Sequence, residues 1–439
     1  MFPSESAPLF YRELTKIATH AGWPPGERVL ALAGLMERIF HEATRREQIV
    51  FSSLFARISY AGHLFHFQPD ILQRIHRFRL LAKRVRNGQV AVEKNVRLGL
   101  QAVAEAVLVL TEAAIPAELI AAFDPDETLQ QLQEAEPADH WVRMARVVAI
   151  QDDPAHNCLI VIDEAQSERP VRMRYGMPER NENFMPTIQV IRKVFGFPVT
   201  LNLIDVDIDR AGFYCPRAIV VEPDYLMDVS AIAECFKDTG ADPYTFLVRK
   251  FLPYENSEPK LLGNIANFFL DRLLTEPAAE WSAVFRETFQ LFPFVYAPMS
   301  DAEVKSVSQK AQKHFLTLKN MASGGFARQG IEPEHCSLEP SFYSEQYGIQ
   351  GRLDLFYKTE EQAAIVELKS GTPFKPNSYG IARSHFTQTL LYDLLVRSVF
   401  GKHLDPVKYI LYSGVDVNQL RFAPTIAPEQ WEAIQVRNQ

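Results

Sequence analysis

The stretch GIQGRLDLFYKTEEQAAIVELKSG, residues 348–371, decides the fold of the C-terminal part of this chain. Two runs rich in apolar residues flank a short polar turn, which predicts a β-hairpin with strands over residues 349–358 and 363–369. Asp354 lies in the first predicted strand and Glu367 in the second. Since adjacent strands lie about 4.8 Å apart, we expect these two carboxylates to be close enough to share one cation.

A lysine follows Glu367 at a spacing that suits phosphodiester chemistry. Lys369 is two residues further along the predicted strand, and the period of two places both side chains on one face. Hydrolysis of a phosphodiester is helped by a divalent cation that relieves the repulsion between phosphate and hydroxide, and Mg²⁺ prefers oxygen ligands. We therefore predict Asp354 and Glu367 as ligands of Mg²⁺ or Mn²⁺, with Lys369 positioning the attacking water and offsetting the developing charge.

A helix predicted over residues 380–399 adds a row of polar side chains. His385, Gln388 and Tyr392 occupy positions i, i+3 and i+7 of this helix and therefore share one face. We expect Gln388 to orient the substrate strand or the attacking water. We expect Tyr392 to bond a phosphate or to support the metal ligands.

The alternative to a catalytic site is a surface hairpin in which Glu367 and Lys369 form an ordinary salt bridge. The four residues before this pair, Ala363 to Val366, are all apolar. Charges at the end of so apolar a strand favour a functional cleft over a solvated surface.

Three regions follow from the periodicity of the apolar residues. Residues 1–138 have a period near 3.6 and are predicted to be helical. Residues 139–228 contain five short runs rich in Val, Ile and Leu between turn signals, which favours a small β-barrel of the oligonucleotide-binding type. Residues 229–439 mix helices and strands. The expected fold class is therefore multidomain α+β/α/β, with a helical N-terminal domain, a β-barrel and a mixed-sheet C-terminal domain.

Two groups of basic residues are candidate contacts to a phosphate backbone. In the predicted helix over residues 71–89, which has no acidic residue, the basic side chains lie beside an apolar stripe of Ile71, Ile75, Phe78, Ala82 and Val85. This face is either an ordinary solvated helix surface or a phosphate-contacting surface. The candidates in the barrel are Arg172, Arg174, Tyr175, Arg192 and Lys193. A scaffolding barrel without a ligand is the alternative there.

The composition narrows the class of protein. The chain has 439 residues and a net charge of −8, which does not suggest a general nucleic-acid binder, although a local basic surface suffices for phosphate contact. Its four cysteines are scattered without a Cys-x-x-Cys pair, so we expect no zinc site. We expect the cysteines to be reduced thiols. The sequence predicts neither a signal peptide nor a membrane span, and we expect a cytoplasmic protein.

Together these motifs resemble the PD-(D/E)xK nuclease superfamily. The similarity is to its RecB-like branch, in particular to the nuclease half of bacterial nuclease–helicases that process Okazaki flaps and DNA ends, and it covers roughly residues 220–415. The resemblance implies that Asp354, Glu367 and Lys369 are the motif residues and that Gln388 and Tyr392 form the Gln-x-x-x-Tyr helix.

Two upstream segments extend the resemblance. Residues 222–233 are similar to the Pro-Asp-x-Leu segment that precedes the nuclease core in flap-processing enzymes. Residues 263–271 are similar to the Gly-x-x-x-His helix that opens this core, but Asn267 replaces the family's metal-binding histidine. An amide oxygen can still ligate a hard cation, so Asn267 is a third candidate metal ligand, weaker than imidazole towards softer metals.

Two further departures bear on cofactors and partners. Many relatives bind an iron–sulfur cluster through cysteines that follow the Gln motif, but no cysteine follows Cys336, so we predict no cluster. The flap-processing relatives carry a helicase downstream, whereas this chain has no phosphate-binding loop. Our hypothesis is that the chain is the nuclease portion of a longer nuclease–helicase, with the helicase domain in cis or in trans. A full-length reading frame ending at Gln439 would contradict it.

The function that the sequence predicts is a Mg²⁺- or Mn²⁺-dependent deoxyribonuclease. It would act on single-stranded DNA, flaps or DNA ends in replication, repair or defence. One alternative is a catalytically weak DNA-binding module that keeps the nuclease fold as a scaffold, which Asn267 favours. Another is a protein-interaction platform of a repair or defence complex, which cleavage by the isolated chain would contradict.

Overall fold

The computed structural model describes residues 6–20, 22–46, 54–123, 140–165, 170–177, 182–209, 211–237, 243–252, 257–401 and 403–439. The chain divides into two compact units, one formed by residues 1–224 with 438–439 and the other by residues 225–437. The three-domain division at residues 138 and 228 stays a prediction.

The first unit begins with helices, as the apolar periodicity predicts. They are α1 (Ala7–Thr19), α2 (Pro25–Ala43), α3 (Leu54–Leu64), α4 (Pro69–Arg86), α5 (Glu93–Thr111) and α6 (Ala117–Ile120), with α7 (Met185–Val190) later in the unit. Apolar faces of α1 to α5 form one hydrophobic core. Among the helices that the structure describes, none combines the length and the apolarity needed to cross a bilayer.

Helix α4 is the predicted basic helix, and its apolar stripe is confirmed. Four of the five predicted stripe residues are buried and Ile71 is partly buried. Arg79 is also buried, and its guanidinium donates to the carbonyl of Glu164 at 3.3 Å. Arg74 forms a salt bridge to Glu105 at 2.8 Å. These two arginines therefore stabilise the unit, and the exposed cations of α4 lie in its last turn, where they complement the helix dipole.

A six-stranded sheet completes the first unit. The strands of this unit are β1 (His140–Asp153), β2 (Cys158–Asp163), β3 (Val171–Arg174), β4 (Gly176–Met177), β5 (Glu182–Asn183), β6 (Val199–Ile208), β7 (Tyr214–Cys215) and β8 (Ala218–Val221). The sheet has the order β1-β2-β3-β7-β6-β8, and β1 also pairs with β6, while β4 and β5 pair with each other.

Both faces of β1 are covered over residues 147–150, which explains why this part of its sequence is continuously apolar. Val148 and Ile150 pack into the core of the helices, whereas Val147 and Ala149 pack into a second core on the opposite face. The prediction that residues 139–228 contain short strands is confirmed by β1 to β8. That they form an oligonucleotide-binding barrel stays a prediction.

Tyr175 is not available as a DNA contact, contrary to the expectation from the sequence. Its side chain is 1% exposed, and its hydroxyl donates to Asp152 at 3.1 Å. Arg192 binds the same aspartate at 2.6 Å. Arg174 lies 4.5 Å from the ring centroid of Phe213. Tyr175 therefore has a structural role, whereas Arg192 is exposed and its contact with DNA stays a prediction.

The second unit contains the remaining elements. Its helices are α8 (Val229–Glu234), α9 (Pro243–Lys250), α10 (Glu258–Thr275), α11 (Trp281–Leu291), α12 (Pro293–Tyr296), α13 (Asp301–Asn320), α14 (Arg383–Phe400) and α15 (Ala427–Arg437). Its strands are β9 (Met227–Asp228), β10 (Cys336–Leu338), β11 (Ser341–Ser344), β12 (Ile349–Arg352), β13 (Leu355–Lys358), β14 (Ala363–Lys369), β15 (Val407–Tyr412) and β16 (Leu420–Phe422).

A five-stranded mixed sheet of order β10-β13-β14-β15-β16 is the centre of this unit. Strands β13 and β14 form the predicted antiparallel hairpin, and β14 runs parallel to β15. On one face, Val366 and Leu368 pack with residues of α10 and α13. On the other face, Ile410 and Tyr412 pack with α14. Alternate residues of the central strands therefore face different helices, as period two requires.

The predicted single strand over residues 349–358 is wrong in one respect. It breaks at Leu353 and Asp354 into β12 and β13, which belong to different sheets, because β12 pairs with β11 and β9. The break places Asp354 where the two sheets diverge rather than within a strand. Apolar alternation continues through the break, so it gives no sequence signal of the divergence.

A buried ionic network fixes the position of α14. Asp393 in α14 accepts hydrogen bonds from Lys408 in β15 at 3.1 Å and from Gln430 in α15 at 2.9 Å. Arg397 binds the same carboxylate at 3.0 Å. Since Asp393 and Lys408 are almost fully buried, the paired charges and hydrogen bonds hold the helix in one place over the sheet.

Candidate active site

Asp354 faces the end of the neighbouring strand β14. Its Oδ2 accepts a hydrogen bond from the backbone nitrogen of Leu368 at 2.7 Å. Burial raises the pKa of Asp354 well above its usual range, and the charge of Glu367 raises it further. Lys369 and the Leu368 N–H act in the opposite direction. Without a cation, Asp354 therefore holds a proton at pH values where an exposed aspartate has lost it.

Glu367 is the most buried carboxylate of the candidate site, with 3% of the residue exposed. Its Oε1 accepts hydrogen bonds from Nζ of Lys369 and from the side-chain amide of Gln388, each at 2.7 Å. Its Oε2 is buried and accepts no hydrogen bond from an N–H or hydroxyl donor of the described residues, while the carboxyl group of Asp354 lies within hydrogen-bonding reach of Glu367. Two buried carboxyl groups this close to each other are costly unless a proton or a cation lies between them.

Lys369 connects Glu367 to α14. Its ammonium donates to Oε1 of Glu367 and, at 2.9 Å, to the side-chain oxygen of Gln388. Burial alone would lower the pKa of Lys369, but the charges of Glu367 and Asp354 outweigh it and raise the pKa. The lysine is therefore cationic at neutral pH and can offset negative charge beside the two carboxylates.

Gln388 and Tyr392 meet this cluster from α14, as their shared helix face predicts. The Gln388 amide also donates to the hydroxyl of Tyr392 at 3.0 Å, and that hydroxyl donates to the carbonyl of Arg352 at 2.8 Å. Tyr392 is buried, and a Cβ added at Gly351 would lie 2.8 Å from its ring. The tyrosine therefore supports the strand that leads to Asp354.

His385 faces strand β15. Its Nδ1 is 2.9 Å from the hydroxyl of Tyr412, the residue paired in register with Lys369 on β15. Burial lowers the pKa of His385 to about 3, and the charge of Lys369 adds to the effect. The imidazole is therefore neutral at physiological pH, which suits a fixed hydrogen-bonding group rather than a titrating base.

Asn267 lies on the face of α10 that also carries Gly263 and Asp271. A Cβ added at Gly263 would lie 3.5 Å from Oγ of Ser370, directly after Lys369. Four residues beyond Asn267, Asp271 has a pKa raised to about 6 by burial and by the charge of Glu339, against the effect of Arg352. Asn267 therefore lies on α10 between Gly263, which is close to Ser370, and Asp271, whose pKa responds to Glu339 and Arg352. Its role as a metal ligand stays a prediction.

Asp271 is the acidic residue of this region to which sequence reasoning assigns no role. Glu339 bonds Arg352 at 3.0 Å, and the backbone nitrogen of Glu339 donates to the carbonyl of Asp354 at 3.1 Å. Asp271 thus interacts with residues that flank Asp354. The i+4 spacing from Asn267 is the sequence signal that could have indicated it.

Two carboxylates, Asp354 and Glu367, are the acidic core of the candidate site. Within the described parts of the chain, no group of three or more His, Cys, Asp or Glu side chains is placed to hold a metal ion. A pair of carboxylates suits Mg²⁺, which keeps several water ligands and commonly binds proteins through one or two carboxylates.

Residues 250–436 match the family model described as the PD-(D/E)XK nuclease superfamily. This stretch of the chain therefore contains a nuclease-fold domain of that superfamily, which implies nuclease activity. The predicted superfamily is thereby confirmed, while the assignment to its RecB-like, flap-processing branch stays a prediction. No curated protein matches the chain.

Proposed function

We propose that the domain over residues 250–436 is a Mg²⁺- or Mn²⁺-dependent nuclease that hydrolyses phosphodiester bonds of single-stranded DNA, flaps or DNA ends. The observation that carries the proposal is the buried pair of carboxyl groups of Asp354 and Glu367, in which Oε2 of Glu367 has no N–H or hydroxyl donor among the described residues. A divalent cation bound there would take the place of the proton between the two carboxyl groups and compensate their negative charge.

The residues present fit such an ion. Asp354 and Glu367 are hard oxygen ligands on neighbouring elements, and Asn267 on α10 is a third candidate. When bound, the cation would relieve the repulsion between phosphate and hydroxide and lower the pKa of a bound water. The proton that Asp354 retains in its absence would have to leave as the metal binds.

Lys369 is the residue that we assign to the charge of the substrate. Its ammonium already lies between Glu367 and Gln388, and its raised pKa keeps it cationic. From this position it would bind the scissile phosphate, orient the attacking water and offset the charge that develops as the phosphorus–oxygen bond breaks.

Gln388 and Tyr392 act as positioning residues. Gln388 bridges Glu367, Lys369 and Tyr392, and Tyr392 bonds the backbone at Arg352. This chain of hydrogen bonds would fix the orientation of the Glu367 carboxylate. Loss of such a supporting partner commonly lowers the metal affinity or the activity of a metal site by about 10- to 100-fold.

The test is cleavage of an end-labelled single-strand flap by the full chain with Mg²⁺ or Mn²⁺. We expect wild type to cleave, Glu367→Ala to lose cleavage, and Glu361→Gln, an exposed acid in the turn between β13 and β14, to behave as wild type. The product sizes would give the polarity. Absence of cleavage by wild type with either metal, with DNA binding intact, would contradict the proposal and favour the scaffold alternative.

A further inference from the structure

We infer, on the basis of the proposed nuclease function, that residues 370–382 form a base-stacking platform for single-stranded DNA. This segment joins β14, which carries Lys369, to α14, which carries Gln388. Its stacking side chains are Phe374 and Tyr379. The platform would hold the nucleotides beside the scissile phosphate and select for unpaired bases.

Both ends of the segment are fixed at the site. At its start, the carbonyl of Lys369 accepts a hydrogen bond from the nitrogen of Ser413 at 2.9 Å. At its end, the nitrogen of Ala382 donates to the hydroxyl of Tyr412 at 3.3 Å, and Tyr412 is the register partner of Lys369. Phe374 follows Lys369 by five residues, a reach of about 18 Å at most along an extended chain. The platform residues are therefore within a few nucleotides of the catalytic lysine.

The part of the segment that presents Tyr379 is ordered by its own hydrogen bonds. Oδ1 of Asn377 accepts from the backbone nitrogens of Tyr379 and Ile381, each at 3.0 Å. The backbone of Asn377 bonds that of Ile381 at 2.9 Å and that of Gly380 at 2.8 Å. A turn held in this way presents its side chains with little ordering cost on binding.

Tyr379 has one ring face on the protein and one towards solvent. Its ring stacks on that of Phe386 with centroids 6.2 Å apart and an interplanar angle of 14°. Phe386 is buried, whereas 44% of Tyr379 is exposed. A ring supported from below and open above has the geometry on which a nucleobase stacks.

Phe374 combines an exposed ring with a cation. Its residue is 58% exposed, and Nζ of Lys375 lies 5.3 Å from its ring centroid. The ring would contact a base while the exposed ammonium of Lys375 contacts the adjoining phosphate. Aromatic side chains beside a cation are the combination by which proteins bind single strands without reading their sequence.

This combination distinguishes single strands from duplexes. The bases of a duplex stack on each other and offer no free face, except at an end, whereas those of a single strand are free to stack on protein rings. The site would thus prefer single-stranded segments because of Phe374 and Tyr379, not because of the metal ligands.

The experiment measures binding separately from cleavage. A fluorescein-labelled oligothymidylate and an abasic oligomer of equal length are titrated in EDTA with wild type, F374A/Y379A and the matched control F294A. Phe294 is an aromatic residue of α12 that is 89% exposed. Thermal unfolding of each variant checks that it is folded.

We expect F374A/Y379A to bind oligothymidylate about 10-fold or more weakly than wild type, since each stacked base contributes measurably, and to bind the abasic oligomer as wild type does. F294A is expected to bind both as wild type. Equal binding of oligothymidylate by the double variant and wild type would overturn the inference. So would an equal loss for both oligomers, or no binding by wild type.

Cleavage of oligothymidylate by wild type with Mn²⁺ is measured in parallel. If wild type binds through these rings but cleaves nothing, the proposed nuclease function fails while the stacking platform stands. If wild type cleaves and the double variant binds normally, the platform alone fails.

Discussion

The side-chain amide of Gln388 donates to Oε1 of Glu367 at 2.7 Å, which ties helix α14 to the carboxylate at the end of β14. Replacement of Gln388 by Ala would leave this oxygen with Lys369 alone and free the carboxylate to turn. We expect Gln388→Ala to lower the cleavage rate about 10- to 100-fold, with a parallel loss of metal affinity.

The measurement is a titration of single-strand cleavage against Mn²⁺ concentration. Gln362→Ala, in the exposed turn between β13 and β14, is the control and should match wild type. An unchanged metal dependence in Gln388→Ala would show that Gln388 does not position the Glu367 carboxylate.

Metal binding should be visible without any substrate. An ion that binds only the folded state stabilises it, by about 2.7 kcal/mol when its concentration is 100-fold above its dissociation constant. We therefore expect Mg²⁺ or Mn²⁺ to raise the unfolding temperature of wild type and to have no such effect on Glu367→Ala. Comparable shifts in both proteins would place the ion elsewhere.

The metal-induced shift should also depend on pH. Because the pKa of Asp354 is raised, mainly by burial and then by Glu367, its proton competes with the metal over a higher pH range than in an exposed aspartate. Raising the pH through the pKa removes this competition, so the apparent metal affinity increases with pH. Thermal shifts measured between pH 5 and 8 check this direction, and an affinity that falls with pH would contradict it.

Gly351 and Tyr392 are predicted to be coupled. A Cβ at Gly351 would lie 2.8 Å from Cε1 of Tyr392, closer than atoms pack, so Gly351→Ala must displace the ring from its bond to Arg352. We expect Gly351→Ala to reduce the free energy of unfolding by about 1–3 kcal/mol.

A double-mutant cycle measures this coupling. In a Tyr392→Ala background the ring is gone, so Gly351→Ala should cost much less, and the two changes should not add. Additive losses would indicate that the cost of Gly351→Ala arises from the backbone rather than from the tyrosine.

The hairpin and its chemistry could be predicted because they depend on local spacing. Glu367 and Lys369 share a face through period two, and Gln388 and Tyr392 share one through the helical repeat. The structure brings these four side chains together.

The failures of prediction all involve contacts between segments distant in sequence. Asp354 was expected within a strand, but it lies at a divergence of two sheets that depends on the pairing of β12 with β9. Asp271 has no motif of its own and acquires its environment from Glu339 and Arg352. Periodicity carries no information on such pairings, which tertiary packing decides.

Asp271 gives a prediction about stability. Its pKa is about 6 in the folded protein, above the ordinary aspartate value near 3.8, because of burial and the charge of Glu339. The folded state therefore binds this proton more tightly than the unfolded state does, and the charged form destabilises the fold above pH 6. As the pH falls below 6, Asp271 takes up its proton in the folded protein and the destabilisation caused by its charge decreases.

Asp271→Asn removes this penalty at every pH because the amide does not ionise. We expect the variant to be more stable than wild type at pH 8, and wild type to recover about 1 kcal/mol of the difference on going from pH 8 to pH 5. Urea unfolding at the two pH values measures it, with Glu361→Gln as an exposed control that should show no such change. If the stability difference between Asp271→Asn and wild type is the same at both pH values, the carboxylate is not held near Glu339 in the folded protein. A larger difference at pH 5 would mean that Asp271 is stabilised in its charged form, the reverse of what its position between Glu339 and Arg352 predicts.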